Sequence, residues 1–227
     1  MSRKRWRFRT FVHENGLLFA CLGLFALFFV GMIVAGTATY NEEQREHGSA
    51  EQITVFQYLR TGAFVEATFE NWESEFLQMG MYVVLTAFLY QRGSSESKPL
   101  NRSAPQDEDP HKDPPPNAPW PVKRGGIVLK VYENSLAIAF FVLFFASWAL
   151  HAAGGVAAYN SEGEQHGQPA ISIWNYVTTS QFWFESMQNW QSEFIAVAAI
   201  VGLSIVFRQR GSAESKPVAE PHHDTGA

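Results

Sequence analysis

A six-residue motif that combines amide, hydroxyl and carboxyl groups occurs twice in the chain. It runs from Asn71 to Phe76 as NWESEF and from Asn189 to Phe194 as NWQSEF. On a helix, residues spaced by three and four positions share a face. The polar members of each copy therefore form a stripe, which is the first candidate ion site; they are Asn71, Ser74 and Glu75, and Asn189, Ser192 and Glu193.

The two glutamates of this motif, Glu75 and Glu193, allow two interpretations. Each lies next to the start of an apolar run, where an ionised side chain is costly unless it is paired. In the first interpretation both lie in the headgroup layer of a membrane, beside Trp72 and Trp190 as interface anchors. In the second they face the interior of a helix bundle and mark a proton, cation or metal position. The interfacial placement is favoured because it needs no compensating partner.

Three histidines are further candidate ligands. His47 and His166 occupy matching positions, each before a glycine, and with the two glutamates they could bind zinc or another divalent ion. The favoured alternative for both is a helix end before a glycine turn. His151 lies inside an apolar run, where it either lines a polar cavity or is a neutral packing residue, the latter being favoured.

Motifs of familiar enzymes are missing from the chain. It has no phosphate loop, dinucleotide fingerprint, nucleophile elbow or His-Glu-x-x-His helix. Its single cysteine, Cys21, excludes an internal disulfide framework. The sequence therefore favours a role other than catalysis, and it assigns no catalytic residue and no cofactor.

Four apolar runs must position these candidates. A hydrocarbon core about 30 Å thick requires roughly 20 helical residues. The first and third runs are long enough, whereas the second and fourth must begin inside the repeated polar motif. The sequence therefore predicts four membrane spans, at about 16–36, 70–91, 135–158 and 188–208.

The chain also contains an internal repeat. Residues 14–48 align with 133–167, and residues 53–99 align with 171–217, with 32 of 82 positions identical. Each copy reads as span, outer loop, span, so the two hairpins point the same way across the membrane. The predicted fold class is an all-α polytopic membrane protein with four transmembrane helices in two tandem parallel hairpin repeats.

Composition divides the chain further. The predicted segments are a first repeat at 1–98, a flexible Pro-rich linker at 99–130, a second repeat at 131–210 and a disordered tail at 211–227. Within the outer loops, the apolar-rich stretches 53–59 and 171–177 each predict a short interfacial helix. Tyr40 and Tyr159 end the odd-numbered spans and are expected to anchor them in the interface.

The basic residues predict the orientation of the spans. Of 17 lysines and arginines, fifteen fall on the side of the predicted spans that carries the linker and both termini, so the positive-inside rule places both termini in the cytoplasm. The net charge of -5 argues against binding of nucleic acid. The lipid bilayer is the first expected partner.

Motifs that occur in both copies carry a family resemblance. They are YN(E/S)E followed by HG, NW(E/Q)SEF, and QRGS(S/A)ESKP at the inner end. With them the chain resembles a bacterial family of small four-span membrane proteins known only as a domain of unknown function. The resemblance implies a bacterial inner-membrane location, and it implies no activity, substrate or catalytic residue.

Three functions are compatible with these features. The first hypothesis is a structural or interaction protein of the bacterial envelope, with an envelope protein or a second copy of the chain as partner. The alternative is a small proton or cation transporter or channel that uses paired Glu75 and Glu193, with His151 as a further group. The third is a metal-binding membrane protein that uses His47, His166 and the same two glutamates.

Overall fold

The computed structural model describes residues 10–46, 52–100, 102–110, 112 and 114–226, and within them every regular element is helical. The all-α class is thereby confirmed. A 3-10 turn covers Pro105–Asp107. The α-helices are α1 (Gly16–Glu46), α2 (Val55–Tyr58), α3 (Gly62–Phe88), α4 (Trp120–Arg124), α5 (Gly126–Glu133), α6 (Ser135–Gln165), α7 (Ile173–Tyr176) and α8 (Ser180–Leu203).

Two of these helices, α1 and α6, are long and apolar enough to cross a membrane. Each has 31 residues, and the most apolar window of α1 is not buried within the chain at all. Leu17 and Phe28 of α1, for example, are exposed. A helix whose apolar surface is left exposed by the described residues suits lipid contact. Length and composition of α1 and α6 thus suggest membrane association.

The helix ends differ from the predicted span boundaries. α1 and α6 continue beyond residues 36 and 158 into polar turns, while α3 and α8 begin before residues 70 and 188. Hydropathy marks only the apolar stretch of a helix. Glutamate, glutamine and arginine favour the helical conformation about as well as leucine does, so a helix can continue beyond that stretch. Caps set the starts of α3 and α8, because Thr61 and Thr179 accept hydrogen bonds from the backbone of Phe64 and Phe182.

Short helices occupy both loop positions where the sequence predicts them. α2 begins with a capping box in which Thr54 and Gln57 satisfy each other's backbone amides, and Ser172 caps α7. Each helix ends on a buried tyrosine, Tyr58 in α2 and Tyr176 in α7. A local pattern of cap and apolar residues is sufficient to define such a turn of helix.

The chain divides into two compact units. The first contains the described parts of Met1–Val65 together with Gly154–Ala170, and the second contains those of Glu66–Ala153 with Ile171–Ala227. In the first unit the Asn41 side chain holds the loop after α1, because its amide group bonds both the N–H and the carbonyl of Ile53, at 2.8 and 2.9 Å.

The second unit includes the C-terminal segment, which the sequence predicts as a disordered tail. Its described part forms turns around Lys216, whose buried ammonium donates to the carbonyls of Pro221, His222 and Asp224 at 2.8–3.2 Å. Three acceptors match the three donors of an ammonium group. The predicted linker likewise contains the 3-10 turn, α4 and the start of α5.

A close helix contact within the first unit leads to a stability prediction. A Cβ atom added to Gly62 would lie 2.5 Å from the backbone nitrogen of Ala158 and 2.6 Å from the carbonyl oxygen of Gly154. We expect Gly62→Ala to lower the free energy of unfolding by about 1–3 kcal/mol because backbone atoms cannot move aside cheaply. Thermal unfolding of the purified chain measures the change.

Gly23→Ala is the matched control. A Cβ at Gly23 meets nothing within 4 Å, and alanine is the better residue inside a helix. This variant should unfold at the wild-type temperature or slightly above it. Equal melting temperatures for the Gly62 and Gly23 variants would contradict the close approach.

Candidate functional site

His151 is the centre of a buried polar cluster in the second unit. Its Nδ1 lies 3.0 Å from Glu73 Oε2 on α3, and its Nε2 lies 3.2 Å from Glu185 Oε2 on α8. The ring is fully buried and stacks on Phe182 with a centroid distance of 4.9 Å. We call the side chains gathered here the His151 cluster; they are Glu66, Glu73, His151, Tyr176 and Glu185.

Glu73 is the most deeply buried acid of the His151 cluster. It has no exposed surface, and its Oε1 accepts hydrogen bonds from Ser186 Oγ at 2.8 Å and Trp190 Nε1 at 3.2 Å. Its Oε2 faces His151. A buried carboxylate is tolerated only when such partners replace its lost hydration. The side chain is therefore held in one orientation from two neighbouring helices.

Tyr176 joins two further acids to the cluster. Its hydroxyl lies 2.9 Å from Glu66 Oε1 and 3.0 Å from Glu185 Oε2, while Gln181 donates to the other oxygen of Glu185 at 2.5 Å. A phenol has a single proton and can donate it to one acceptor at a time. The remaining contact between oxygen atoms therefore requires a proton on a carboxyl group or a bound cation.

Three cluster residues outside the apolar spans have shifted acidities. Burial, followed by the charge of Glu185, raises the pKa of Glu66 to about 7. Burial and then the charges of Glu66 and Glu185 raise the pKa of Tyr176. Burial also acts to raise the pKa of Glu185, but hydrogen bonds from His151, Gln181 and Tyr176 outweigh it and lower that pKa. Near neutral pH, Glu185 is thus the charged acid and Glu66 the group that takes up a proton.

Negative groups outnumber positive ones around His151. Glu70, which shares a face of α3 with Glu66 and Glu73, adds a fourth carboxyl group. One imidazole cannot neutralise four acids. One ligand atom each from Glu66, His151 and Glu185 lies within 4.8 Å of the other two, so these three residues could hold a metal ion.

The structure places the predicted ion-site stripe mostly away from this cluster. Glu75 is exposed and Glu193 is partly exposed, and the main-chain carbonyl of Glu193 accepts from Gln78 at 3.0 Å. Asn71, Ser74 and Ser192 bond backbone carbonyls of their own helices. Asn189 lies closer, since its amide donates to the main-chain carbonyl of Glu185 at 3.2 Å.

The remaining predicted residues have different environments. His166 is exposed, just beyond the end of α6, and Gly167 after it adopts a φ of 68°, as in a helix-ending turn. His47 lies outside the described residues, so a metal site shared by the two histidines stays a prediction. Each expected interface anchor is partly exposed; these are Tyr40, Trp72, Tyr159 and Trp190.

Sequence reasoning identified His151 but missed the acids around it. One signal was available in the spacing of Glu66, Glu70 and Glu73, which puts three carboxyl groups on one helical face. A second lies in the repeat alignment, where each ionisable cluster residue pairs with an uncharged one. The aligned pairs are Glu66 with Phe184, Glu73 with Gln191, Glu185 with Ala67, and His151 with Met32.

The pairing of His151 with two acids leads to a second stability prediction. Replacing it by methionine, the residue at the aligned position 32, as in His151→Met, leaves the buried Glu73 and the partly buried Glu185 beside an apolar side chain. We expect the free energy of unfolding to fall by about 3–5 kcal/mol, as when one partner of a buried ion pair is removed. Denaturant unfolding of the purified protein measures the loss.

Adding Glu73→Gln to this variant should restore part of the stability. A neutral amide can still accept from Ser186 and Trp190 but carries no charge to be compensated. Glu162→Gln, at an exposed position of α6, is the control and should change nothing. Strictly additive effects of the two cluster substitutions would show that Glu73 and His151 are not coupled.

Comparison with known proteins identifies a family. The family described as Domain of unknown function (DUF6766) matches residues 8–227, which is nearly the whole chain. No curated protein and no solved structure matches the chain. The resemblance inferred from the repeated motifs is thus confirmed at the level of a family of unknown function: the chain belongs to the DUF6766 family.

Proposed function

We propose that the chain is an integral protein of a bacterial inner membrane with four transmembrane helices. α1 and α6 supply two spans, and the apolar C-terminal parts of α3 and α8 supply the others. In this proposal, repeats at 1–98 and 131–210 are parallel hairpins, joined by the linker at 99–130. The excess of lysine and arginine at the termini and in the linker supports a cytoplasmic location for all three segments.

The short helices α2 and α7 lie at the outer membrane interface in this arrangement. Phe56 and Trp174 occupy aligned positions on them and are 79% and 76% exposed. Large aromatic side chains left uncovered next to polar loops are typical of the headgroup layer. They support interfacial placement of both helices.

We further propose that the protein binds cations at the His151 cluster and passes them through the membrane. The observation that carries this function is the burial of His151 between Glu73 and Glu185. Ionisable groups within membrane helices are rare, and they mark ion pathways when they face the bundle interior. The excess of carboxyl groups over positive groups makes a cation the favoured ligand. The proposed site thus differs from the pair Glu75 and Glu193.

A structural or interaction role in the envelope is the second candidate function. Acidic side chains at the C-terminal ends of α1 and α6 favour it, because they form exposed negative surfaces; these are Glu42, Glu43, Glu162 and Glu164. A basic envelope protein or a second copy of the chain would be the partner. In that case the His151 cluster would serve to hold the helices in register.

Labelling of single cysteines tests the proposed topology. In a Cys21→Ser background, Glu162→Cys should react with a membrane-impermeant maleimide in intact cells, because the proposal places it outside. Ala213→Cys should react only after the membrane is permeabilised. Labelling of both positions in intact cells, or of neither after permeabilisation, would contradict the four-span arrangement.

Flux measurements in proteoliposomes test the proposed transport. Wild-type protein should admit protons or Mn²⁺, reported by entrapped fluorescent dyes, down an imposed gradient. The paired His151→Met and Glu73→Gln variant should lose at least about tenfold of the flux, because it removes the imidazole and the buried carboxyl group at the centre of the proposed site. Glu162→Gln, reconstituted at the same protein density, is the control.

The outcomes separate the candidate functions. No flux with wild-type protein would reject transport and leave the envelope role. Unchanged flux in the paired cluster variant would reject the His151 cluster as the site. Loss of flux only when Glu75→Gln and Glu193→Gln are combined would assign the pathway to those two glutamates instead.

A further inference from the structure

The hydrogen bonding of His151 resembles the supporting arrangement of a metal-binding histidine. Such a histidine donates the N–H of one ring nitrogen to a carboxylate and uses the other nitrogen as a ligand. Here Nδ1 faces Glu73, and Glu73 is itself fixed by Ser186 and Trp190. Glu73 therefore fixes the orientation of the ring, and Nε2 points towards Glu185 and Glu66.

A doubly protonated ring donates to both Glu73 and Glu185, whereas a ring protonated on Nδ1 alone leaves Nε2 as an acceptor that can bind a cation. The imidazole lone pair and a carboxylate oxygen lone pair then face each other at 3.2 Å. Two lone pairs repel unless a positive charge lies between them. Glu66 and Glu185 also converge on the single phenolic proton of Tyr176, so a proton on Glu66 or a cation is needed there as well.

The distances suit a first-row divalent ion. Zinc bonds of about 2.0–2.2 Å to nitrogen and oxygen at tetrahedral angles separate neighbouring ligand atoms by roughly 3.3 Å. The 3.2 Å between His151 Nε2 and Glu185 Oε2 is close to this value. Glu66 supplies the third ligand atom, within 4.8 Å of the others. Two carboxylates and a neutral imidazole would balance the charge of a divalent ion.

We propose that Glu66, His151 and Glu185 bind a divalent first-row metal ion such as zinc, and that Glu73 is a positioning residue for His151. The proposal deepens the cation-binding function and rests on it, since it names the cation class at the same cluster. Imidazole nitrogen and carboxylate oxygen are suitable ligands for zinc and its neighbours. The site is distinct from one built on His47 and His166.

Titration of the full-length, untagged chain with zinc alone tests the proposal. After chelator treatment, the wild-type protein in lipid nanodiscs should bind one equivalent of Zn²⁺ by calorimetry. Co²⁺ should occupy the same site and give visible absorption bands of a four-coordinate ion. Glu66→Gln and Glu185→Gln should abolish this stoichiometric binding, whereas Glu162→Gln and His13→Gln, at exposed positions, should retain it.

Glu73→Gln separates positioning from mere structural support. A carboxylate behind a ligating histidine orients the ring and increases its basicity, so its loss should raise the dissociation constant for zinc by on the order of 10–100-fold. The Co²⁺ absorption should shift in wavelength as well. An unchanged spectrum with unchanged affinity would remove Glu73 from this role.

Thermal unfolding distinguishes a variant that has lost the metal site from a variant that fails to fold. Zinc should raise the melting temperature of wild-type protein, because a ligand that binds the native state stabilises it. Glu66→Gln should unfold cooperatively in chelator and gain nothing from zinc. Stabilisation of this variant equal to that of wild type would overturn the proposed ligand set.

The metal site and the transport function can fail separately. Absence of a zinc equivalent in wild-type protein, or its retention in both Glu66→Gln and Glu185→Gln, would overturn the metal site. Flux without zinc binding would leave cation transport intact and reject the metal. Stoichiometric zinc without flux in the wild type would keep the metal site and reject transport.

Discussion

The buried carboxyl group of Glu73 is the constraint around which the second unit is organised. An ionised carboxylate without solvent contact is tolerated only with hydrogen-bond donors in fixed positions. His151 comes from α6, and Ser186 and Trp190 come from α8, so three helices must stand in one mutual register. Apolar contacts alone would specify that register weakly, because much of the apolar helix surface faces outward. Polar contacts are therefore the more specific restraint on how these helices pack.

Aromatic rings isolate this arrangement from solvent. Phe182 is fully buried, stacks on His151 and meets Trp148 and Tyr176 edge to face at 5.5 Å each. Phe144 packs in a similar way on Trp190. In such an apolar enclosure the electrostatic interactions among the cluster residues are stronger than they would be in water. The enclosure also raises the cost of leaving any of the charges uncompensated.

Local features of the fold could be predicted from the sequence, whereas the contacts between distant helices could not. The short helices α2 and α7 followed from caps and apolar residues within a few positions. A histidine in an apolar run, His151, is also visible locally. Glu73 lies inside the repeated motif NWESEF, yet the polar stripe predicted from that motif lies on a different face of the helix. Its partners lie 78 or more positions away, at a distance that no periodicity can bridge.

The proposed duplication bears on why the charged cluster exists. In the alignment of the two copies, the tyrosines that end α2 and α7 occupy the same position. The charged or chargeable residues of the His151 cluster are aligned instead with Met32, Ala67, Phe184 and Gln191. If the chain is duplicated as proposed, both hairpins carry the tyrosine, whereas one member of each aligned pair carries the ionisable group, in the first copy at Glu66 and Glu73 and in the second at His151 and Glu185. Replacing a buried ionic network by apolar residues is often neutral or stabilising. A bound ligand, as proposed for the His151 cluster, would explain why an ionic network stands where a well-packed apolar core could replace it.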